Sequence, residues 1–150
     1  MLEKKSDIIV PKFLDPCRVE LLDDIPKEGQ NSRWMLLTDF RYDSYLYSAR
    51  VTVQKGFVTD FASVPKQLPL AYALFSDQAR RPAIVHDWGY QTHIFVTKSM
   101  TDQIFQEAMH AIGMSVIDIK LMFEGVRIGG QDAWDTGPTR FKVLNAGLRT

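Results

Sequence analysis

The chain has 150 residues, 45% of them hydrophobic, which is enough for one domain with a real core and too few for two domains of ordinary size. Its 18 basic and 18 acidic side chains cancel, so the net charge argues against nucleic acid as a partner. The single cysteine, Cys17, excludes an intrachain disulfide framework. No stretch approaches the roughly 20 apolar residues of a membrane span, and the N-terminus lacks the apolar core of a secretion signal, so we expect synthesis in the cytoplasm.

The N-terminal half is predicted to form a small antiparallel sheet. Residues 1–12 form either an edge strand or an N-terminal arm. The pattern of residues 18–22 predicts a strand, and residues 33–40 and 45–53 carry aromatic and β-branched residues with partial alternation. The polar residues 41–44 between these last two segments are predicted to form a hairpin turn.

A group of side-chain hydrogen bonders ends the predicted sheet. Thr59, Asp60 and Ser63 lie in the stretch 56–65, and each can cap a neighbouring backbone N–H group. One interpretation is a tight connection from strand to helix, because these residue types perform this task routinely. The other is that Asp60 points into the same cleft as His86.

Residues 79–113 are predicted to form a pair of helices. Pro82 fits the first turn of the first helix, where its missing N–H costs nothing. The second helix is predicted to begin with a capping box from Ser99 to Asp102 and to stop at Gly113.

The first of these helices carries an adjacent histidine and aspartate among apolar residues. An imidazole and a carboxylate in such a setting cost desolvation unless each has a partner, and the nearest carboxylate able to reach His86 is Asp102. Adjacent helical residues point about 100° apart, so His86 and Asp87 are not expected to act on the same small ion. Tyr90, one turn after His86, is predicted to donate its O–H to Asp102 or Asp60.

These side chains allow two chemistries. A neutral imidazole can take a proton from water, or imidazole and carboxylates together can bind a divalent cation, calcium or zinc, that lowers the pKa of water. We therefore predict His86, Asp102 and Tyr90 as catalytic residues, and Asp87 and Asp60 as metal ligands. The alternative is structural: a satisfied core pair, with Asp102 stabilised by the dipole of its own helix.

The C-terminal third is predicted to contain one more helix and a tail. Residues 115–128 have apolar positions compatible with a third helix that starts at Ser115. Residues 131–150 are predicted as an extended C-terminal tail that buries Trp134 in its own domain and offers the residues after Pro138 to a partner. The whole chain, residues 1–150, is predicted to be a single α+β domain with a small antiparallel sheet, then a helical hairpin and a third helix.

Four segments, GFVTDFASVP, AIVHDWGY, SMTDQIFQEAMHAIG and GVRIGG, resemble in this order the family of uncharacterised phage and prophage proteins known as DUF1353. The resemblance covers residues 50–134. It implies a tailed-phage or prophage origin but no activity. The motif residues that it picks out are Thr59, Asp60, Ser63, Pro65, His86, Asp87, Tyr90, Asp102, Arg127 and Gly130.

A more local resemblance, over residues 83–109, is to the helix pair of the secreted phospholipase A2 superfamily. It implies that His86 is a general base, that Asp87 binds calcium and that Asp102 orients the histidine. The glycine-rich calcium loop and the disulfides of that superfamily are missing here, and a sheet replaces its N-terminal helix.

Two functions are therefore expected. The first is a phage-encoded virion-associated or structural and assembly protein, of the tail or its assembly, with the His-Asp-Asp group as an internal polar staple. Its partners would be other virion proteins or further copies of itself, and its place the virion or the cytoplasm of the infected host. The second is a small metal-dependent hydrolase of the host envelope, lipid or peptidoglycan, with His86 as base.

Overall fold

The structure, a computed structural model, describes residues 2–5, 7, 10–23, 31–64 and 77–146. Two small antiparallel sheets form the N-terminal half of this described chain and helices form the C-terminal half, so the predicted α+β class is confirmed. The strands are β1 Leu2–Lys4, β2 Lys12–Phe13, β3 Val19–Leu21, β4 Trp34–Leu36, β5 Phe40–Ser44, β6 Ala49–Val53 and β7 Val58–Thr59. The helices are α1 Asp77–Thr92, α2 Lys98–Ala111, α3 Val116–Gly129 and α4 Gln131–Leu144.

The strands pair in two sheets rather than one. A four-stranded sheet has the order β1-β6-β5-β2 and a three-stranded sheet the order β3-β4-β7, with antiparallel pairing throughout. In β6, the side chains of Ala49, Val51 and Val53 are buried and alternate with half-buried ones, which is the period of a strand with one face on the core. β1 lies at a sheet edge, as one interpretation of residues 1–12 predicted.

The predicted hairpin turn at residues 41–44 is wrong, because these residues belong to β5 and the turn follows at residues 45–48. Tyr42 points into the core and donates its O–H to Glu107 on α2 at 2.6 Å. Asp43 pairs across the sheet with Arg50 at 2.7 Å. The polar side chains that suggested a turn are therefore strand residues with partners elsewhere in the fold.

Two of the predicted helix starts differ from those in the structure, and one agrees. α1 begins at Asp77, so Pro82 lies inside the helix rather than in its first turn. α2 is capped by Thr97, whose hydroxyl accepts the N–H of Met100 at 3.1 Å, so the predicted capping box, which begins at Ser99, starts two residues too late. Ser115 caps α3 as predicted.

The prediction of an extended tail over residues 131–150 is wrong for Gln131–Leu144, which form α4 and pack on α1. The contact is a backbone one: a Cβ at Gly137 would lie 1.9 Å from the carbonyl oxygen of Tyr90. Trp134 stacks on His93 of α1 with ring centroids 3.7 Å apart, but its side chain is half-buried rather than buried as predicted. Pro138 also lies within α4, so the residues that follow it up to Leu144 continue the helix and do not extend away from the domain as predicted. Residues 147–150 lie outside the described part.

Helix α1 is the buried centre of the fold. Every residue from Pro82 to Gln91 is buried, because α2, α4, β6 and β7 all pack around this helix. Neighbouring side chains that point about 100° apart are therefore both enclosed, each by a different set of elements. No helix of the described chain is long and apolar enough to cross a membrane.

Candidate functional site

His86 is the centre of a buried hydrogen-bonded group. Its Nε2 lies 2.8 Å from Oδ1 of Asp102 on α2, and its Nδ1 lies 3.0 Å from Oγ of Ser63, in the turn after β7. The imidazole packs against the rings of Tyr90 and Phe105 in tilted contacts, with centroids 4.2 and 4.4 Å away. We call the hydrogen-bonded set the His86 cluster: Ser63, His86, Tyr90, Lys98 and Asp102.

Asp102 is the acceptor to which this cluster converges. Besides His86, it accepts the O–H of Tyr90 at 2.7 Å and an N–H of Lys98 Nζ at 2.8 Å. The same ammonium also donates to the carbonyls of Val126 and Arg127 near the end of α3. Burial alone would raise the pKa of Asp102, but the hydrogen bonds from His86, Lys98 and Tyr90 outweigh it and hold the pKa below its ordinary value.

The charge of Asp102 decides which imidazole nitrogen carries the proton. A carboxylate only accepts hydrogen bonds, so Nε2 of His86 must be the N–H that donates to it. In the neutral imidazole the other nitrogen, Nδ1, then holds a lone pair, and the hydroxyl of Ser63 is the donor that faces it. In this neutral tautomer, a basic nitrogen of His86 faces the hydroxyl of Ser63.

Asp87 belongs to a second group on another side of α1. Its Oδ2 accepts the hydroxyl of Thr59 and the amide of Gln91, and its Oδ1 accepts Nη2 of Arg140 at 3.3 Å. Nε of Arg140 also lies 3.5 Å from Oδ1 of Asp60. We call this set the Asp87 cluster: Thr59, Asp60, Asp87, Gln91 and Arg140.

Burial and the nearby charge of Asp87 raise the pKa of Asp60. Asn145, which follows α4, links the same elements. Its amide oxygen accepts the N–H of Val58, and its amide nitrogen donates to the carbonyl of Val58 and to the side-chain oxygen of Gln91. The Asp87 cluster therefore joins β7, α1 and α4.

The predicted site residues separate into these two clusters. His86, Asp102 and Tyr90 lie together, and Tyr90 donates to Asp102, as predicted. Asp60 was predicted to share their cleft, but its carboxylate pairs with Arg140 and lies beside Asp87 instead. It also caps the N–H of Ala62, as the interpretation of a strand-to-helix connection predicted. Pro65 lies outside the described residues.

The predicted metal ligands, Asp60 and Asp87, do not fit calcium or zinc in this arrangement. Both carboxylate oxygens of Asp87 already accept hydrogen bonds, and the guanidinium of Arg140 fills the position between the two acids. Within the described residues, no group of three or more His, Cys, Asp and Glu side chains is arranged to hold a metal ion. A cation would have to displace Arg140.

Three contributors were not predicted from the sequence. Ser63 was named as a backbone cap and as a motif residue of the family, but nothing local indicates that its hydroxyl faces His86. Lys98 stands four residues before Asp102, and this spacing on a helix face could have revealed the pair. Arg140 lies in the segment predicted as a tail, so its burial beside Asp87 could not be read from the pattern.

A cavity lies between α1 and α4, on the side of the Asp87 cluster rather than the His86 cluster. Its volume is about 910 Å³, and Trp88, Phe141, Gln91 and Asn145 are among its lining residues. Among the residues that the structure describes, the buried indole N–H of Trp88 has no hydrogen-bond partner. The groups of the His86 cluster do not line this cavity.

Residues 34–126 match the family described as "Protein of unknown function (DUF1353)". The match spans more than half of the chain, which therefore belongs to the DUF1353 family, as the motif resemblance predicted. The chain is also 34% identical over 106 residues to the "Uncharacterized protein y4iH" of Sinorhizobium fredii (strain NBRC 101917 / NGR234), an alignment that covers 70% of this chain and 43% of that protein. It thus spans less than half the length of that relative. No solved structure matches the chain.

Proposed function

We propose that this protein is a hydrolase in which His86 is the general base and Asp102 its orienting carboxylate. The observation that carries the proposal is the pair of contacts on the imidazole: a carboxylate on Nε2 and a hydroxyl on Nδ1. A base within hydrogen-bond reach of an O–H group, oriented by a third group, is the arrangement that acid–base catalysis of hydrolysis requires.

The other members of the His86 cluster support this role. When His86 takes up a proton, the carboxylate of Asp102 stabilises the imidazolium, and burial strengthens this interaction because little water screens it. Lys98 and Tyr90 donate to Asp102 and keep it ionised. In this proposal Tyr90 is a positioning residue, because its hydroxyl acts on Asp102.

The proposed substrate is an ester- or amide-linked component of a bacterial envelope, lipid or peptidoglycan. The pairing of a histidine on α1 with an aspartate on α2 is the one that the local resemblance to phospholipase A2 implies, and this favours a lipid ester. The proposal differs from that resemblance in one respect: the aspartate after the histidine is bound by Arg140, and no step uses a metal ion.

The test is hydrolysis of p-nitrophenyl esters, phospholipid vesicles and purified peptidoglycan by the wild-type protein and by variants. His86→Ala and Asp102→Asn should each lower the rate by about 10²–10⁴-fold, the range that a general base contributes. His110→Ala, which removes an exposed histidine of α2, is the matched control and should retain full activity. A folded His86→Ala protein with wild-type activity contradicts the proposal, and so does a folded wild-type protein inactive on every substrate.

A second candidate function is a virion-associated or assembly role in a tailed phage or prophage, the origin that the DUF1353 motifs suggest. The observation in its favour is on α3, where Val116, Ile117, Leu121 and Ile128 are exposed. Exposed apolar surface of this kind marks binding sites for other proteins or further copies of the chain. Ile117→Lys with Ile128→Lys should then abolish self-association or incorporation into particles, whereas Val96→Lys, at an exposed valine outside α3, should not.

A further inference from the structure

The His86 cluster contains a serine hydroxyl at the position where a nucleophile would stand. Ser63 Oγ and the carboxylate of Asp102 lie on opposite nitrogens of the same imidazole, at 3.0 and 2.8 Å. All three residues are almost completely buried, with exposed fractions of 0% for Ser63, 1% for His86 and 2% for Asp102. Serine, histidine and aspartate in this order of contacts are the groups that acyl transfer through a covalent intermediate uses.

We propose that Ser63 is the nucleophile of this site and that its substrate is a carboxylic ester. The proposal rests on the hydrolase function above and names the atom that His86 activates: the hydroxyl of Ser63, rather than a water molecule, in the first step of the reaction.

The turn that carries Ser63 leaves its hydroxyl available for this task. Thr59 Oγ1 accepts the N–H of Phe61 at 3.1 Å, and Asp60 Oδ1 accepts the N–H of Ala62 at 3.0 Å. These two side chains cap the turn, while the third hydrogen bonder, Ser63, faces the imidazole. Phe61 has φ 53°, a left-handed conformation that is costly for a bulky residue and that occurs preferentially at functional turns.

The reaction balances with these groups and water alone. As Ser63 Oγ forms a bond to the ester carbonyl carbon, its proton passes to Nδ1 of His86, and the carbonyl oxygen becomes an oxyanion. When this intermediate collapses, the bond from carbon to the leaving oxygen breaks, the leaving alcohol takes the proton from Nδ1, and the acyl group stays on Ser63. Water then attacks the acyl carbon with His86 again as base, which releases the acid and returns the proton to Ser63. Asp102 remains a carboxylate throughout.

Burial decides the choice of probe. Because Ser63 and His86 are closed to solvent in this structure, a reagent reaches them only when the surrounding chain rearranges, so small reagents should react before bulky ones. The suitable probe is a small alkyl fluorophosphonate, which transfers its phosphonyl group to an activated serine oxygen with loss of fluoride.

The experiment treats the purified full chain with this fluorophosphonate, measures the adduct by intact mass and peptide mapping, and follows hydrolysis of p-nitrophenyl acetate in parallel. We expect one adduct, on Ser63, in the wild-type protein. Ser63→Ala and His86→Ala should each lose the adduct, and Ser63→Ala should lose hydrolysis by on the order of 10³-fold. Ser44→Ala is the matched control: Ser44 is equally buried but caps Tyr47, so its variant should still be labelled.

The outcomes separate this proposal from the function on which it rests. If Ser63→Ala hydrolyses the ester within about twofold of wild type while His86→Ala does not, the nucleophile proposal is overturned and His86 remains the base for water. An adduct on a residue other than Ser63 also overturns it. A wild-type protein that folds, hydrolyses nothing and takes up no label overturns both proposals. Circular dichroism melts establish that each variant is folded.

Discussion

His86 and Asp87 are adjacent residues of one buried helix, yet their surroundings differ in kind. Around Asp87, both carboxylate oxygens are occupied by donors, and those donors come from three different elements. Around His86, one nitrogen faces a carboxylate, and the other, which holds a lone pair when the imidazole is neutral, faces a hydroxyl. The first arrangement gives every oxygen of a carboxylate a donor, whereas the second places an imidazole between a carboxylate and a hydroxyl. Equal burial therefore does not imply an equal role.

The two clusters also differ in how they lie relative to the segment that matches the family. Every member of the His86 cluster lies within residues 34–126, the segment that matches DUF1353. Four members of the Asp87 cluster lie in that segment, but Arg140, its cation, lies beyond it, as does Asn145, which donates to Gln91 of the cluster. The Asp87 cluster is thus one of the contacts that attach α4 to the part of the chain that matches the family, together with the packing of Gly137 on Tyr90 and of Trp134 on His93.

Of the changes that test this difference between the two clusters, removal of the cation of the Asp87 cluster should have the largest effect on stability. Arg140→Met strands the buried carboxylates of Asp87 and Asp60, and we expect a loss of about 3–5 kcal/mol in the free energy of unfolding. The melting temperature should fall by roughly 6 °C or more for a chain of this size. The control is Arg127→Met, at an exposed arginine paired with Glu124, which should leave the melting temperature close to that of the wild type because water screens an exposed ion pair. Equal melting temperatures for the two variants would show that Arg140 does not stabilise the fold in this way.

A smaller effect is expected from the contact between α1 and α4. Gly137→Ala places a methyl group 1.9 Å from the backbone carbonyl of Tyr90, so α4 must shift, at a cost of about 1–3 kcal/mol. Gly129→Ala, at an exposed glycine of α3, should show no such loss, because alanine is the better helix former. Chemical denaturation compares the two variants. A Gly137→Ala protein as stable as wild type would show that the helices pack less closely than the structure describes.

The smallest expected effect on stability is its dependence on pH, which should have opposite signs for an aspartate of the His86 cluster and one of the Asp87 cluster. The pKa of Asp102 is lowered in the folded protein, so its contribution to stability is present above the ordinary carboxyl value of 3.8 and is lost as the pH falls through the lower folded-state pKa. The pKa of Asp60 is raised, so the folded state keeps that proton longer than the unfolded state, and stability falls as the pH rises above 3.8.

Denaturant titrations between pH 2 and 7 measure this difference. Asp102→Asn should flatten the acid limb of the stability profile, and Asp60→Asn should flatten the decline above pH 3.8. Asp135→Asn, on the exposed face of α4, is the control, and its profile should run parallel to that of the wild type. If Asp60→Asn steepens the decline, the ion pair with Arg140 outweighs burial and the sign given for Asp60 is wrong.

The sequence predicted the parts of the fold that local patterns determine. The strand at β3 and the cap of α3 at Ser115 follow from short-range propensity. The contact of His86 and Tyr90 with Asp102 follows from desolvation and from helix spacing, since Tyr90 stands one turn after His86. These predictions needed no knowledge of distant residues.

The parts that failed depend on packing between distant segments. Gly137 and Pro138 disfavour a helix locally, yet α4 forms because the missing side chain at Gly137 allows its backbone to lie against α1. That error also concealed Arg140, and with it the partner of Asp60. The role of Ser63 was missed because a hydroxyl near a turn has many uses, and only its position beside Nδ1 of His86 distinguishes them.

The hydrogen bonds of Asn145 have a consequence for the order of assembly during synthesis. This side chain contacts Val58, 87 residues earlier, so that contact forms only after the end of α4 has emerged from the ribosome. The contacts of His86 with Ser63 and Asp102 span 23 and 16 residues and are available much sooner. We therefore expect a ribosome-bound nascent chain, in which a linker after residue 130 carries residues 1–130 clear of the ribosome, to keep α1 open to proteases on the side that α4 later covers. Protection before α4 is made would show instead that this side closes without it.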